Sequence, residues 1–196
     1  MRKARLAAIA VLGLLIAPGN WWRSTPVVST SDSLRFVRLS SETPADWPDG
    51  LTLEEAWHLD GANGDFAGFS GLVLGKDGFR AFSDFGGTAN FPRPAGQNVL
   101  APVKALPSAR EIAYIPDVEG AVYDPASDML WLSYEHHNAI RRIAPDGTSA
   151  FVRPAALRKL GLNSGIEAIT RLHDGQFLML AYSLQRHTVF KIKFFG

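Results

Sequence analysis

Five acidic residues occupy matching places in a repeated sequence pattern, where together they could bind a metal ion. Glu119 and Glu135 lie 16 positions apart on either side of a turn, so a hairpin would bring them to the same end of neighbouring strands. Glu167 opens the next copy of the pattern, 48 positions after Glu119. Asp117 would point to the same side of its strand as Glu119, and Asp84 takes the place of Glu135 in the first copy. The repeat therefore predicts that all five gather at one end of a channel.

The spacing of these acidic residues allows two interpretations. Clustered carboxylates supply the hard oxygen ligands that Ca²⁺ and Mg²⁺ prefer, and without a cation they would raise one another's pKa. Acidic residues at strand ends are also common as solvated turn formers or as partners of basic side chains. The basic side chains available for such pairs are Arg80, Arg110, Arg141 and Arg142.

Two other kinds of reactive residue lack the context that their chemistry needs. Ser70 lies in the sequence GFSGL at residues 68–72, which lacks the final glycine of a nucleophile elbow. The repeat instead makes Ser70 the counterpart of Glu119 and Glu167. His136 and His137 are adjacent in a turn, without the spacing of a histidine metal motif, and we interpret them as turn residues.

The elements that must position these side chains are short strands joined by tight turns. The pattern covers residues 70–84, 119–135 and 167–183, and each copy has two apolar runs separated by a turn. Asp77-Gly78 and Asp174-Gly175 are Asp-Gly turns between apolar runs, a strong signal for a hairpin. A repeat of about 40–50 residues indicates a repeat architecture.

The second copy predicts a complete blade of a propeller. A further apolar segment, Ala139–Ile143, follows it and precedes another Asp-Gly turn, which gives a four-stranded antiparallel meander. We therefore predict an all-β fold, a β-propeller-like array of antiparallel four-stranded blades with about three to four blades. The only helical candidate is the short segment Ala155–Leu160.

The chain divides into three parts in sequence. Residues 1–17 have a basic start and an apolar stretch of 12 residues, which is typical of a signal peptide and short for a membrane span. Residues 18–48 are predicted to be a linker and a first edge strand at Leu34–Leu39. Residues 49–196 are predicted to form the propeller domain, incomplete at its C-terminal side. We expect an exported protein, periplasmic or extracellular, or alternatively one anchored in the inner membrane by residues 6–17.

Composition excludes some classes of partner. Removing residues 1–17 would take away three basic residues and no acidic one, leaving 17 basic and 19 acidic residues and a net charge of −2. Nucleic-acid binding requires a concentrated positive field, so no nucleic-acid partner is expected. The chain has no cysteine, which excludes disulfides and a lipoprotein anchor. We expect a monomer whose only membrane contact would be an uncleaved N-terminal segment.

Several segments resemble the phytase-like family, described as having esterase-like activity of phytase and related to the β-propeller phytases. The similar segments are DVEG at residues 117–120, LWLSYE at 130–135, GIEA at 165–168, FSGL at 69–72 and FSD at 82–84. The resemblance extends over about residues 50–185. It implies a propeller, commonly six-bladed, with Ca²⁺ at an acidic end of the channel. The present length would hold only part of such a ring, so we expect a truncated array.

The resemblance also implies an activity. In the phytase relatives, carboxylates at the positions of Glu119, Glu135 and Glu167 bind Ca²⁺ near the substrate phosphate, which implies catalytic roles for these three residues. The implied reaction is metal-assisted hydrolysis of a small phosphate or carboxylic ester. Basic residues that could bind the substrate are Arg80, Arg110 and Arg141, with Arg93 as a further candidate. The alternative is a non-catalytic propeller module that binds a ligand or a protein.

Overall fold

The structure is a computed structural model that describes residues 30–39, 50–106, 117–161, 164–183 and 186–192. The described residues form short strands and one 3₁₀ turn at Leu157–Lys159. The strands are β1 Ser33–Arg38, β2 Trp57–Gly61, β3 Phe69–Leu74, β4 Phe79–Ser83, β5 Gly87–Phe91, β6 Asn98–Leu100, β7 Lys104–Ala105, β8 Val118–Asp124, β9 Met129–Tyr134, β10 Ala139–Ile143, β11 Ser149–Val152, β12 Ile166–Arg171, β13 Phe177–Ser183 and β14 Arg186–Ile192.

These strands form four antiparallel sheets, of which the last two follow in sequence order while the first takes β6 from within the second. The strand orders are β2-β1-β6, β3-β4-β5-β7, β8-β9-β10-β11 and β12-β13-β14. The last three sheets each begin with one copy of the sequence repeat and are called blades 1, 2 and 3. The prediction of an all-β, propeller-like array of antiparallel blades is confirmed, and blade 2 is the predicted meander, with its four strands in sequence order.

The burial of individual strands shows that the sheets pack face to face. In β9, every residue from Leu130 to Tyr134 is buried, so both faces of this strand are covered. β3 alternates instead, with Gly71 and Val73 buried and Leu72 and Leu74 exposed. A sheet covered on both faces reads as a continuous apolar run, as β9 does.

The hydrophobic core lies between consecutive sheets. One cluster joins the first sheet to blade 1 and includes Leu34, Phe36 and Phe91. The cluster between blades 1 and 2 is built around Phe82, Val118 and Leu132. The cluster between blades 2 and 3 is built around Trp131, Ile140, Ile166, Phe177 and Met179. Each blade is therefore stabilised mainly by its neighbours, as in other repeat architectures.

The first strands of the three blades lie side by side because small residues let them approach. A Cβ placed on Gly71 would lie 3.2 Å from the Cβ of Ala121, which joins β3 to β8. A Cβ on Gly120 would lie 2.8 Å from Ser133 Oγ and 3.0 Å from Ile169 Cγ2, so β8 and β12 are equally close. This contact brings the starts of β3, β8 and β12 together at one end of the array.

Two sequence predictions about the flanking segments differ in outcome. The prediction of an edge strand at Leu34–Leu39 is wrong, because β1 lies between β2 and β6 in its sheet. Residues far along the chain, Asn98–Leu100, return to cover the side that the sequence left open. The short helical candidate at Ala155–Leu160 is present as the 3₁₀ turn at Leu157–Lys159.

The proposed signal or anchor segment, residues 1–17, lies outside the described residues. Among the residues that the structure describes, no helix has the length and apolar character needed to cross a membrane.

Candidate metal centre

A β-bulge at the start of each blade presents the varying polar residue of the repeat. In β3, Phe69 pairs with Ser83 and Gly71 with Phe82, which leaves Ser70 as the extra residue. The same irregularity isolates Glu119 in β8 and Glu167 in β12. A bulge breaks the strict alternation of side chains and redirects the extra one. The predicted equivalence of Ser70, Glu119 and Glu167 therefore has a structural basis.

A backbone hydrogen bond closes the strand pair beside each bulge and defines a second set of equivalent residues. The Asp84 amide donates to Gly68 O at 2.9 Å, and the Glu135 amide donates to Asp117 O at 3.1 Å. In blade 3 the corresponding donor is the amide of Tyr182, which lies 3.0 Å from Gly165 O. Asp84 and Glu135 are equivalent, as predicted from the sequence, and Tyr182 is their counterpart in blade 3.

Three carboxylates of blade 2 converge on one small volume. Asp117, Glu119 and Glu135 each offer one carboxylate oxygen, and these three oxygens lie within 4.8 Å of one another. All three side chains are half-buried, so they combine restricted solvation with an open approach. Spacing of this kind allows one cation to contact all three, and carboxylate oxygens are the ligands that Ca²⁺ takes.

The local backbone holds Asp117 at the centre of this group. Asp117 has a φ of +35°, a value rare for a residue with a side chain. Its Oδ2 accepts a hydrogen bond from the His136 amide at 3.1 Å, and its amide donates to Asp84 O at 2.8 Å. Asp117 thus connects blade 1 to the turn that follows β9.

Burial and mutual repulsion raise the pKa of Glu119 from 4.5 to about 7. Desolvation is the largest cause, and the negative charges of Asp84, Asp117, Glu167 and Glu135 follow in that order. The other four predicted metal ligands therefore all act electrostatically on Glu119. A bound cation would relieve the repulsion that four neighbouring carboxylates exert on Glu119.

Glu135 is perturbed in the same direction. Its pKa is raised by burial first and then by the charges of Glu167 and Asp117, while His136 lowers it. His136 is thus close enough to affect the site, although the sequence indicated only a turn residue. The adjacent Glu-His pair was the available signal for this contact.

Asp84 and Glu167 lie at the margin of the three-carboxylate group. Asp84 accepts a hydrogen bond from the Ser70 hydroxyl, with 2.6 Å between Ser70 Oγ and Asp84 Oδ1. Both acidic residues are half-buried, and both contribute to the raised pKa of Glu119. Neither belongs to the set of three whose oxygens converge.

Blade 3 contributes less to the site because of two replacements. Gly165 occupies the position of Asp117, and a Cβ there would lie 2.2 Å from Glu135 Cγ and 2.5 Å from Glu135 Cα. No side chain fits at this position while Glu135 keeps its place. Tyr182 takes the position that Asp84 and Glu135 have in the other two blades. Alignment of the sequence copies did not reveal this, because the match depends on the strand register set by the bulge.

Arg80 and Arg141, the two arginines of the proposed substrate-binding set that the structure describes, lie away from the carboxylates. Arg141 is buried at 4% exposure, donates to Ser149 Oγ at 3.1 Å and lies over the Phe151 ring. Arg80 donates to Asn90 Oδ1 at 3.2 Å and lies four residues from Asp84 on β4, about 13 Å away along an extended strand. Arg110 lies outside the described residues, so its predicted role stays a prediction.

A family model matches the part of the chain that contains this site. The model, described as Phytase-like, esterase-like activity of phytase, matches residues 64–187, which is more than half of the chain. The chain belongs to the phytase-like family. The matched region contains the three bulges and all five acidic residues, and the resemblance inferred from the sequence motifs is confirmed.

Two solved structures show similarity to this phytase-like chain. A virginiamycin B lyase from Staphylococcus aureus has a TM-score of 0.40 and 13% identity, covering 66% of this chain and 42% of that one. A streptogramin B lyase structure has a TM-score of 0.41 and 11% identity, covering 86% of this chain and 47% of that one. The chain thus spans less than half of the length of either structure. No curated protein matches it.

Proposed function

We propose that this phytase-like chain is a Ca²⁺-dependent hydrolase of small phosphate or carboxylic esters. The observation that carries the proposal is the convergence of one oxygen each from Asp117, Glu119 and Glu135 within 4.8 Å. The family match supports an activity toward esters. The donor set fits a hard cation because it consists of oxygen ligands and the chain has no cysteine.

Each acidic residue has a distinct part in this proposal. Asp117, Glu119 and Glu135 would hold the metal directly, while Asp84 and Glu167 would add negative charge at the margin and accept water or further metal contacts. A bound Ca²⁺ would neutralise negative charge on the substrate and promote the attack of water. Glu119, Glu135 and Glu167 keep the catalytic roles that the family resemblance implies, and burial together with the charges of the other four acidic residues raises the pKa of Glu119.

Hydrolysis of aryl phosphates and aryl carboxylic esters, with calcium and with a chelator, tests the proposal. We expect activity only with calcium, and Glu119→Gln should reduce it by about 100-fold or more because one of three converging carboxylates is lost. Glu54→Gln, which changes an exposed acidic residue in a loop, is the matched control and should keep full activity. Equal rates with calcium and chelator would contradict the metal mechanism.

A non-catalytic binding module is the second candidate. The observation that favours it is the placement of Arg141 in the interior and of Arg80 beside Asn90, which leaves neither beside the converging carboxylates. Such a module would bind calcium and a ligand without turnover. Calcium binding that survives in a protein inactive on every ester tested would support it over the hydrolase.

The proposed activity would take place outside the cytoplasm. The basic and apolar residues of the 1–17 segment support export, with an inner-membrane anchor as the alternative. Mass spectrometry of the protein recovered from the producing cells distinguishes them: a mass without residues 1–17 indicates cleavage, and the full mass in the membrane fraction indicates an anchor. Sedimentation of the purified protein tests the expected monomer.

A further inference from the structure

An apolar cavity lies on the face of blade 1 that is turned toward the first sheet. Its volume is about 460 Å³, within the range of ordinary ligand pockets. Its wall is largely aromatic, with contributions from Phe66, Phe69, Phe79 and Phe91. Phe66 meets Phe69 edge-on at 4.8 Å between ring centroids, so the aromatic wall is held in place by its own packing.

Leu72 lines the cavity and is 56% exposed. Leu72 lies on the open face of β3, while its neighbour Val73 is buried at 8% exposure against blade 2. Leu74, two residues further along the same face, is 46% exposed and does not line the cavity. The two leucines therefore differ in their relation to the cavity and little else.

The cavity adjoins the acidic site through one polar side chain. Among the described residues that line it, Ser70 carries the only polar side chain and no residue is charged. The Ser70 hydroxyl donates to the Asp84 carboxylate, and the Asp84 carbonyl accepts a hydrogen bond from the Asp117 amide. An apolar space thus ends at the margin of the carboxylate group.

We propose that this cavity binds the apolar acyl group of a carboxylic ester substrate, and the proposal rests on the hydrolase function proposed above. A cavity with an aromatic wall and no cationic side chain favours an uncharged apolar group over a phosphorylated one. The apolar part of the acyl group stays bonded to the carbonyl carbon throughout hydrolysis, so its contacts in the cavity are kept in the transition state and raise kcat/KM.

The reaction itself is ordinary ester hydrolysis. Water adds to the acyl carbon, the bond from that carbon to the alcohol oxygen breaks, one proton of the water is transferred to the alcohol, and the carboxylic acid releases the other proton. An acyl group that fills the cavity is then held beside Ser70, with its carbonyl carbon toward the carboxylates.

Two esters of 4-nitrophenol that differ only in the acyl group test the proposal. With calcium present, we expect kcat/KM for the phenylacetate ester to exceed that for the acetate ester by about tenfold or more. Leu72→Trp, which puts a larger side chain into the cavity lining, should bring this ratio close to one. Leu74→Trp adds the same group on the same face outside the cavity and should leave the ratio unchanged. A wild type without preference, or a preference that survives Leu72→Trp, would overturn the proposal.

Direct binding separates this proposal from the hydrolase function. Phenylacetamide has the same acyl group and resists hydrolysis, so its binding can be measured by calorimetry whether or not any ester is cleaved. Binding to the wild type and Leu74→Trp but not to Leu72→Trp, in a protein that hydrolyses neither ester, would support the cavity and refute the hydrolase. Equal binding by all three proteins, or none, would refute the cavity. A dimer in sedimentation that only Leu72→Trp dissociates would assign the surface to a second copy and also refute it.

Discussion

Acidic residues lie at both ends of blades 2 and 3, but the pKa values of their carboxyl groups are shifted in opposite directions. At the end where β8 and β12 begin, burial and neighbouring carboxylates raise the pKa of Glu119 and Glu135. At the opposite end, where the tight turns lie, hydrogen bonds lower the pKa of Asp124 and Asp146. The direction of the pKa shift separates carboxylates that complete a turn from carboxylates that repel one another.

The turn carboxylates are satisfied locally. The Ser127 hydroxyl and the Ala126 amide donate to Asp124 at 2.7 and 3.1 Å, and Arg171 of blade 3 forms an ion pair with it. Asp146 accepts from the hydroxyl and the amide of Thr148 at 2.7 and 2.9 Å. These residues stabilise hairpins, as Asp does in many turns.

The carboxylates at the bulge end have a different kind of neighbour. Asp117, Glu119 and Glu135 place oxygens within 4.8 Å of one another, and the charges of all four other acidic residues destabilise ionised Glu119. Five carboxylates kept together at a cost in free energy are a reason to propose a ligand, whereas carboxylates that complete turns are not.

The largest expected difference between the two ends is in calcium affinity. Asp117→Asn should weaken calcium binding on the order of 100-fold, because it removes one of three converging carboxylate charges. Asp124→Asn makes the same chemical change at the turn end and should leave calcium affinity unchanged. Calorimetric titration of both variants measures this difference, and equal affinities would refute a calcium site at Asp117.

The next effect is on stability and depends on close packing at the bulge end. Gly165→Ala should lower the free energy of unfolding by about 2 kcal/mol, because the new Cβ would overlap Glu135 and the chain would have to shift. Gly161→Ala is the matched control, since its Cβ would lie 3.7 Å from Ser164 Oγ, an ordinary contact. Denaturant unfolding measures both changes, and similar costs for the two variants would refute the proposed overlap.

The smallest of these effects is the dependence of stability on pH without calcium. Glu119 has a pKa of about 7 when folded and an ordinary value of 4.5, so the folded chain binds more protons between these values. The free energy of unfolding should therefore fall as pH rises from about 4.5 to 7, by about 1 kcal/mol after solvent screening is considered.

Substitution at each end isolates this contribution. Glu119→Gln should flatten the fall in the free energy of unfolding between pH 4.5 and 7, measured by denaturant unfolding in a chelator. Asp146 has a pKa lowered from its ordinary value of 3.8, so its contribution is present above that value and is lost only as the pH falls further. Asp146→Asn should leave the slope between pH 4.5 and 7 unchanged, and an equal flattening in both variants would count against the assignment to Glu119.

The sequence predicted the blades well because their signals are local. Asp-Gly turns and apolar runs lie within one hairpin, and the equivalence of Asp84 with Glu135 follows from aligning the copies. The pairing of β1 with β6 joins residues about 65 positions apart, and no local signal indicates it. This is why the central strand β1 was predicted at an edge.

Details of the site depend on how the strands are paired at each bulge, and the sequence pattern does not indicate that register. Each bulge shifts the pairing by one residue, so Tyr182, and not a carboxylate, faces Gly165 in blade 3. Arg141 was predicted to bind the substrate because of its positive charge. The sequence does not indicate where its side chain lies. Its side chain is instead among the buried residues of blade 2.

A crystal structure of the protein grown with calcium would test the metal site at the bulge end. We expect one strong anomalous peak there, with carboxylate oxygens of Asp117, Glu119 and Glu135 about 2.3–2.6 Å from the ion. Saturating calcium with no ion at these three residues, or an ion bound instead at the turn end beside Asp124 or Asp146, would contradict it.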